Sequence, residues 1–187
     1  MRRIQSLYLG GPDQGFPNPA THDVARRTLC EQAGFTPITA HGAPLAEEEK
    51  SEAMAREIYA TRAALMRRAD AAIVNLTPLH GPSCDAGAAF EAGFMSGLGK
   101  PVFAYMNIVD EDDAELAARI EGWAVVEIGE DGVLRDEQGC ELEDFGLPEN
   151  LMLWAEARRL YVIVTPDTLA DLTGLELCLE AVRMFND

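Results

Sequence analysis

The chain has 187 residues, 48% hydrophobic and 25% charged, with 32 acidic against 15 basic side chains and a formal net charge of −17. That length suits one domain of roughly 100–200 residues with its own core, and the balance is that of a globular protein rather than a disordered tail. The acidic excess argues against a nucleic-acid or anionic-membrane surface, and no apolar run approaches the ~18 residues of a membrane span.

Residues 4–9 form a short apolar run that ends at Gly10-Gly11-Pro12 and read as a first strand feeding a loop. The start, Met1-Arg2-Arg3 before that short run, lacks the apolar length and cleavage site of a signal peptide. Pro12, Pro17 and Pro19 keep the loop non-helical until about residue 20. Asn18 or Thr21 is placed to cap a helix whose apolar positions are Val24, Leu29 and Ala33 and which stops at Gly34. Residues 36–39 read as a second strand. From 47 to 68 there is no proline or glycine, and Met54, Ile58, Leu65 and Met66 recur at helical spacing. The acidic Glu47-Glu48-Glu49 and the basic Arg67-Arg68 suit the two ends of such a helix dipole.

Residues 71–76 are continuously apolar up to Asn75, the pattern of a strand covered on both faces. A Pro/Gly loop, a Gly/Ala-rich helix over 85–98 and a further buried strand over 101–105 follow. Strand, helix and strand in alternation imply right-handed crossovers and an α/β fold. Residues 110–120 read as an acidic helix. Short strand-like pieces at 123–128, 133–134 and 140–142 surround a hairpin turn at Gly129-Glu130-Asp131-Gly132. Residues 151–164 fit either one helix or a helix followed by a strand. Thr165 is read as the cap of a last helix, with proline at its first position and Leu169, Leu172, Leu175, Leu179 and Val182 on one side. The cysteines, 30, 84, 140 and 178, form no C-x-x-C pair, so neither a zinc site nor a disulfide framework is suggested, and free thiols in a reducing cytoplasm are expected.

Ligands of open α/β sheets bind at the carboxyl ends of strands, which here directs attention to the loops 10–20 and 77–85. Neither carries a G-x-G-x-x-G or Walker pattern, and Asp13 speaks against a phosphate, so a neutral ligand group is expected. In Gly81-Pro-Ser-Cys-Asp-Ala-Gly-Ala-Ala-Phe-Glu-Ala-Gly93, Asp85 stands where the helix begins, favoured there by the dipole and free amides. Glu91 is nearly two turns on, with Gly87 and Ala88 on its face and no basic residue at i±3 or i±4. An unpaired carboxylate beside near-absent side chains marks a site with room for a small ring such as a sugar. The competing reading has Glu91 facing solvent and the glycines serving only helix–sheet packing.

Several segments resemble the nucleoside 2-deoxyribosyltransferase family: Tyr8-Leu-Gly-Gly-Pro12 with Phe16, Asn18 and Pro19; Asp70-Ala-Ala-Ile-Val-Asn-Leu-Thr-Pro-Leu-His-Gly81; Asp85-Ala-Gly-Ala-Ala-Phe-Glu-Ala-Gly93; Gly99-Lys-Pro-Val102; and Asp144-Phe-Gly-Leu-Pro-Glu-Asn-Leu-Met152. The resemblance implies a doubly wound, flavodoxin/Rossmann-like parallel sheet with helices on both faces, a single domain over 1–187 with a small hairpin insertion. It implies transfer of a 2-deoxyribosyl group between nucleobases with Glu91 as nucleophile, Tyr8 orienting it and Asp85 near the base. Gly11, Pro12 and Phe16 would line the base pocket, and Asn150 and Met152 would be lent by a neighbouring subunit of a homo-oligomer. Local readings compete: Asn150 as a helix cap, Tyr8 as an ordinary strand aromatic, Met152 and Trp154 as packing. His22 and His41 read as surface residues. Two positions depart from the family: Arg62 stands where some members carry Asp or Asn, and His80 where some carry arginine.

The implied chemistry is a retaining double displacement through an oxocarbenium-like transition state and a covalent sugar ester. It calls for no metal and no redox cofactor, and for 2′-deoxynucleoside and free nucleobase as substrates. Two alternatives share the scaffold: a hydrolase of deoxynucleosides or nucleoside 5′-monophosphates, and a non-catalytic nucleoside-binding module. The first loop, Gly11-Pro12-Asp13-Gln14, lacks the Ser or Arg that would hold a phosphate, which favours nucleosides.

Overall fold

The computed structural model describes residues 3–43 and 49–186. Five strands form one parallel sheet: β1 (Ser6–Gly10), β2 (Thr36–Ile38), β3 (Ala71–Asn75), β4 (Val102–Ile108) and, last in the chain, β7 (Leu160–Val164). Their order is β2-β1-β3-β4-β7. This is a doubly wound sheet whose winding reverses between β1 and β3, and a crevice opens where two neighbouring strands send their connections to opposite faces. β3 and β4 are buried at every position. Their apolar sequences lack alternation for that reason: both faces are covered.

One face carries α1 (Pro19–Gln32) and α6 (Thr173–Asn186). Leu7, Leu9, Ile73 and Phe103 of the sheet pack there against Cys30 and Leu179. The other face carries α2 (Glu52–Arg68), α3 (Ala86–Gly97) and the short α5 (Leu151–Glu156). Tyr8, Val74 and Met106 meet Met66, Ala92 and Met95 there. Alternate residues of β1 thus serve opposite cores, and Tyr8 is committed to the α2–α3 side. A hairpin of β5 (Val126–Ile128) and β6 (Leu134–Asp136) follows α4 (Leu116–Trp123) and stands outside the sheet.

Several expectations shift. α2 begins at Glu52, where Ser51 accepts a bond from the Met54 amide, so the start expected at 47 is not seen; Glu47 and Glu48 lie outside the described residues. Asn18 sits at the cap of α1 without a side-chain bond, and Val24 points outward at 64% exposure while Arg26 is buried. Residues 110–120 divide into a 3₁₀ turn, Glu111–Asp113, started by the Asp110 carboxylate, and then α4. Trp123 therefore ends a helix rather than starting a strand. The piece at 140–142 makes only an isolated bridge, Arg135 to Glu141. The ambiguity over 151–164 resolves as helix, then strand.

Thr165 does not cap α6. Its amide continues the sheet ladder to the Ile108 carbonyl, and its hydroxyl accepts from the Asp167 amide. Asn107 holds the loop that follows through the carbonyls of Thr168 and Asp171, so the helix is delayed to Thr173 and Leu169 lies before it. Among the described residues, no helix is long and apolar enough to cross a membrane.

Candidate active site

The end of β1 brings Gly10 and Gly11 to the switch point. Gly11 has φ 129°, which strains any residue with a Cβ, and there its amide donates to Glu91 Oε2 at 3.0 Å. Gly10 matters by closeness: a Cβ there would stand 2.6 Å from Glu91 Oε2 and 3.0 Å from the Tyr8 ring. From the middle of β1, the Tyr8 hydroxyl donates to Glu91 Oε1 at 2.6 Å, a short charge-assisted bond. Glu91, on the second turn of α3, is 3% exposed. The expected hollow flanked by Gly87 is not what surrounds it. A Cβ on Gly87 would meet the Asp85 carboxylate at 2.8 Å, so that glycine makes room for the helix cap.

Glu91 is also not unpaired. Arg62 of α2 reaches it, Nη1 to Oε1 at 3.3 Å, while Nη2 donates to Gln14 Oε1 at 2.9 Å. α3 itself carries no cation; the partner comes from another helix. The cleft lined by Tyr8, Gly10, Gly11, Gln14, Arg62 and Glu91 keeps a free volume of only about 20 Å³. That is room for a water but not for a sugar while Arg62 stays across it. Burial raises the Glu91 carboxyl above its ordinary range; the Tyr8 hydroxyl, Arg62 and the Gly11 amide oppose the rise without cancelling it. Burial and the neighbouring carboxylate together push the Tyr8 phenol up, so it stays a donor.

A second buried carboxylate closes the floor. Asp13 lies in the 3₁₀ turn Pro12–Gly15, is ion-paired with Arg26, and accepts from His22 Nε2 at 2.9 Å and Asn75 Nδ2 at 3.1 Å. Arg26 also donates to the Leu9 carbonyl at 2.7 Å. Burial pushes the Asp13 carboxyl up, but Arg26 and His22 pull it down to about 2. Asp13 is therefore a spent charge that ties α1 and β3 to the Gly11 loop. With its charge answered by Arg26, Asp13 does not by itself exclude an anion there. His22 is correspondingly no surface residue: its ring is 9% exposed and packs edge-on against Phe16. Asp13, Arg26 and Asn75 were missed as site residues, because nothing local in the sequence announces a network drawn from three segments.

A family model described as nucleoside 2-deoxyribosyltransferase matches residues 7–152. The chain belongs to that family. Its fold is shared by a solved 2-deoxyribosyltransferase from Leishmania mexicana, with TM-score 0.64 and 21% identity over 94% of this chain and 97% of that one. A conserved protein from Enterococcus faecalis V583 aligns with TM-score 0.57 and 16% identity over 97% and 99% of the two chains. A Clostridium botulinum CMP N-glycosidase aligns at TM-score 0.45 and 12% identity over 92% and 99%. Comparison with curated proteins gave no match.

The other positions that the deoxyribosyltransferase resemblance singled out are dispersed. Asp85 caps α3, its Oδ1 accepting from the amides of Gly87 and Ala88, and is not among the residues lining the Glu91 cleft. Pro12 and Phe16 are buried in the loop wall. Asn150 caps α5, accepting from the Met152 amide and donating to Glu143 at 2.8 Å. Asn150 and Met152, the latter 70% exposed, line a separate groove of about 750 Å³ between α3 and α5. His80 is exposed.

Next to Asn150, Glu149 is fully buried. It accepts from the Ser83 hydroxyl at 2.7 Å, the Cys84 amide at 2.9 Å and the Asn150 amide at 2.9 Å. Arg119, which also donates to the carbonyls of Pro82 and Pro148, stands 3.6 Å away. This knot fixes the loop that delivers Asp85 to the start of α3. Glu149 and Arg119 were missed too, though Glu149 sits inside the family-like segment ending at Met152.

Proposed function

We propose that the protein transfers a 2-deoxyribosyl group between nucleobases by a retaining double displacement in which Glu91 is the nucleophile. One observation carries the reading: in a member of this family, a dehydrated carboxylate stands at the switch point with Tyr8 and Gly11 holding its two oxygens. A carboxylate stripped of water is the more reactive toward a cationic centre, and its rotamer is already fixed. Glu91 attacks the anomeric carbon as the carbon–nitrogen bond breaks, and the electron pair leaves with the base. A sugar ester remains. The incoming base loses its N–H proton and attacks the same carbon, and the ester electrons return to Glu91.

Asp85 is proposed to give a proton to the departing base and take one from the incoming base. It begins the helix on which Glu91 lies six residues later, a separation of about 9 Å along the axis at ~1.5 Å per residue, the reach of a nucleoside from sugar to base edge. Asn150 and Met152 are proposed to act on a neighbouring copy's substrate, which makes the working form a homo-oligomer. Their groove shares no lining residue with this chain's own Glu91 cleft, in keeping with that role.

The test is incubation with 2′-deoxyinosine or thymidine plus adenine, followed by chromatography. Deoxyadenosine is expected, with none formed by Glu91→Ala. Free deoxyribose without deoxyadenosine would replace transfer by hydrolysis. Base binding without turnover would leave a binding module.

A further inference from the structure

Arg62 spans the mouth of the cleft. Its side chain is 27% exposed against 4% for Glu91, so it lies on the outer side, and nothing of sugar size reaches Glu91 until it moves. Its Nε–H is buried and has no hydrogen-bond partner among the described residues. The guanidinium thus holds an unused donor within a cleft where ligand is expected, and a buried donor left unpaired is costly. Its pairing is also open to exchange. Asp13 is already neutralised by Arg26, and the carboxylate ion-paired with Arg62 among the described residues is Glu91, at 3.3 Å.

That counter-charge disappears during the reaction proposed above, on which this inference rests. When the Glu91 oxygen bonds the anomeric carbon, the carboxylate becomes a neutral ester. In the same step the glycosidic nitrogen takes the bonding pair, and negative charge grows on the base. The net charge is conserved; only its location moves, from Glu91 to the leaving group a bond length or two away. A cation fixed at that point loses one partner and gains another.

We propose that Arg62 hands its hydrogen bonds from Glu91 to the departing base, donating to the acceptor atom that flanks the glycosidic nitrogen. Purines offer a ring nitrogen there and pyrimidines a carbonyl oxygen, so the contact suits either class and requires only an acceptor. Arg62 is then a catalytic residue that stabilises leaving-group charge, and it blocks the cleft only in the absence of substrate. On the return half-reaction it stabilises the incoming base as that base loses its proton, and it closes on Glu91 again when the ester breaks.

The rival role is positional: Arg62 merely keeps Glu91 ionised and in place. The two separate in a series of deoxynucleoside donors whose bases differ in N–H acidity. For wild type and Arg62→Gln, single-turnover rates of base release are measured above the Glu91 acid limb. Leaving-group stabilisation predicts a loss that grows along the series, from about 10²-fold for the most acidic base to about 10³-fold for the least, the range set by one lost oxyanion-type donor. Added guanidinium ion should restore part of the rate to Arg62→Ala, and Arg62→Lys should fall between. A loss of the same size for every donor, with no rescue, overturns the proposal and leaves Glu91 as nucleophile intact. Absence of base release from every donor by the wild-type protein overturns the Glu91 reading, and this proposal with it.

Discussion

Asp13 and Glu91 are two carboxylates of one cleft, both nearly withdrawn from water, 7% and 3% exposed. Their surroundings send them in opposite directions. Asp13 faces a buried guanidinium, an imidazole and an amide, and its carboxyl falls to about 2 despite burial. Glu91 has one hydroxyl, one backbone amide and a longer contact to a partly exposed arginine, and burial prevails. The difference separates structure from chemistry. A carboxylate whose charge is fully answered holds the fold together. One whose charge is answered incompletely, by groups that can let go, is available to react.

Substitution breaks the comparison most sharply at Asp13. Asp13→Asn leaves Arg26 buried without its closest counter-charge and should destabilise the protein by about 3–5 kcal/mol, read by urea unfolding. Glu91→Gln removes a desolvated charge instead. That variant should unfold at the same or higher denaturant concentration while losing transfer. If Glu91→Gln proves the less stable of the two, the division of roles is wrong.

Tyr8→Phe tests the same contrast from the partner's side. It deletes the 2.6 Å bond to Glu91 and should cut kcat about 10- to 100-fold, the value of one hydrogen bond to a charged group. The acid limb of kcat/KM should also move to higher pH, since the Tyr8 hydroxyl is one of the groups holding the Glu91 carboxyl down. An unmoved limb would show that Tyr8 packs rather than tunes.

The smallest effect is the pH dependence of stability in the wild type. The folded Asp13 carboxyl lies below its ordinary 3.8, so its contribution is complete above that value and is lost as pH falls toward about 2. The folded Glu91 carboxyl lies above its ordinary 4.5, so ionising it costs stability as pH rises through the interval above 4.5. Chemical denaturation across pH should show stability falling below about 4 through Asp13. The slight decline expected above 4.5 should be absent in Glu91→Gln.

Much of the fold was legible along the chain. The buried runs of β3 and β4, the Asp85 cap of α3 and the period of α2 are local patterns, and each element appears where its pattern is clearest. The misreadings fall where local signals yield to distant bonds. Thr165 looks like a cap, yet it is drawn into the ladder beside Ile108; a Pro-containing acidic loop follows before the helix starts. In the site, Glu91 was visible because a lone carboxylate in a small-residue helix is unusual locally, and Tyr8 only through the family resemblance of Tyr8-Leu-Gly-Gly-Pro12. Gly10, Arg26 and Asn75 were not, since each matters only through what the fold sets against it.

The order of residues by itself determined the alternating α/β plan and supplied the acid, the hydroxyl and the glycine turn, because periodicity and backbone freedom are properties of neighbours in sequence. Which cation meets which carboxylate was decided only by the tertiary structure. Arg62 and Glu91 are 29 positions apart, and Gly11 and Glu91 80. Charge pairing depends on distance through space, which a chain acquires only when its sheet has formed.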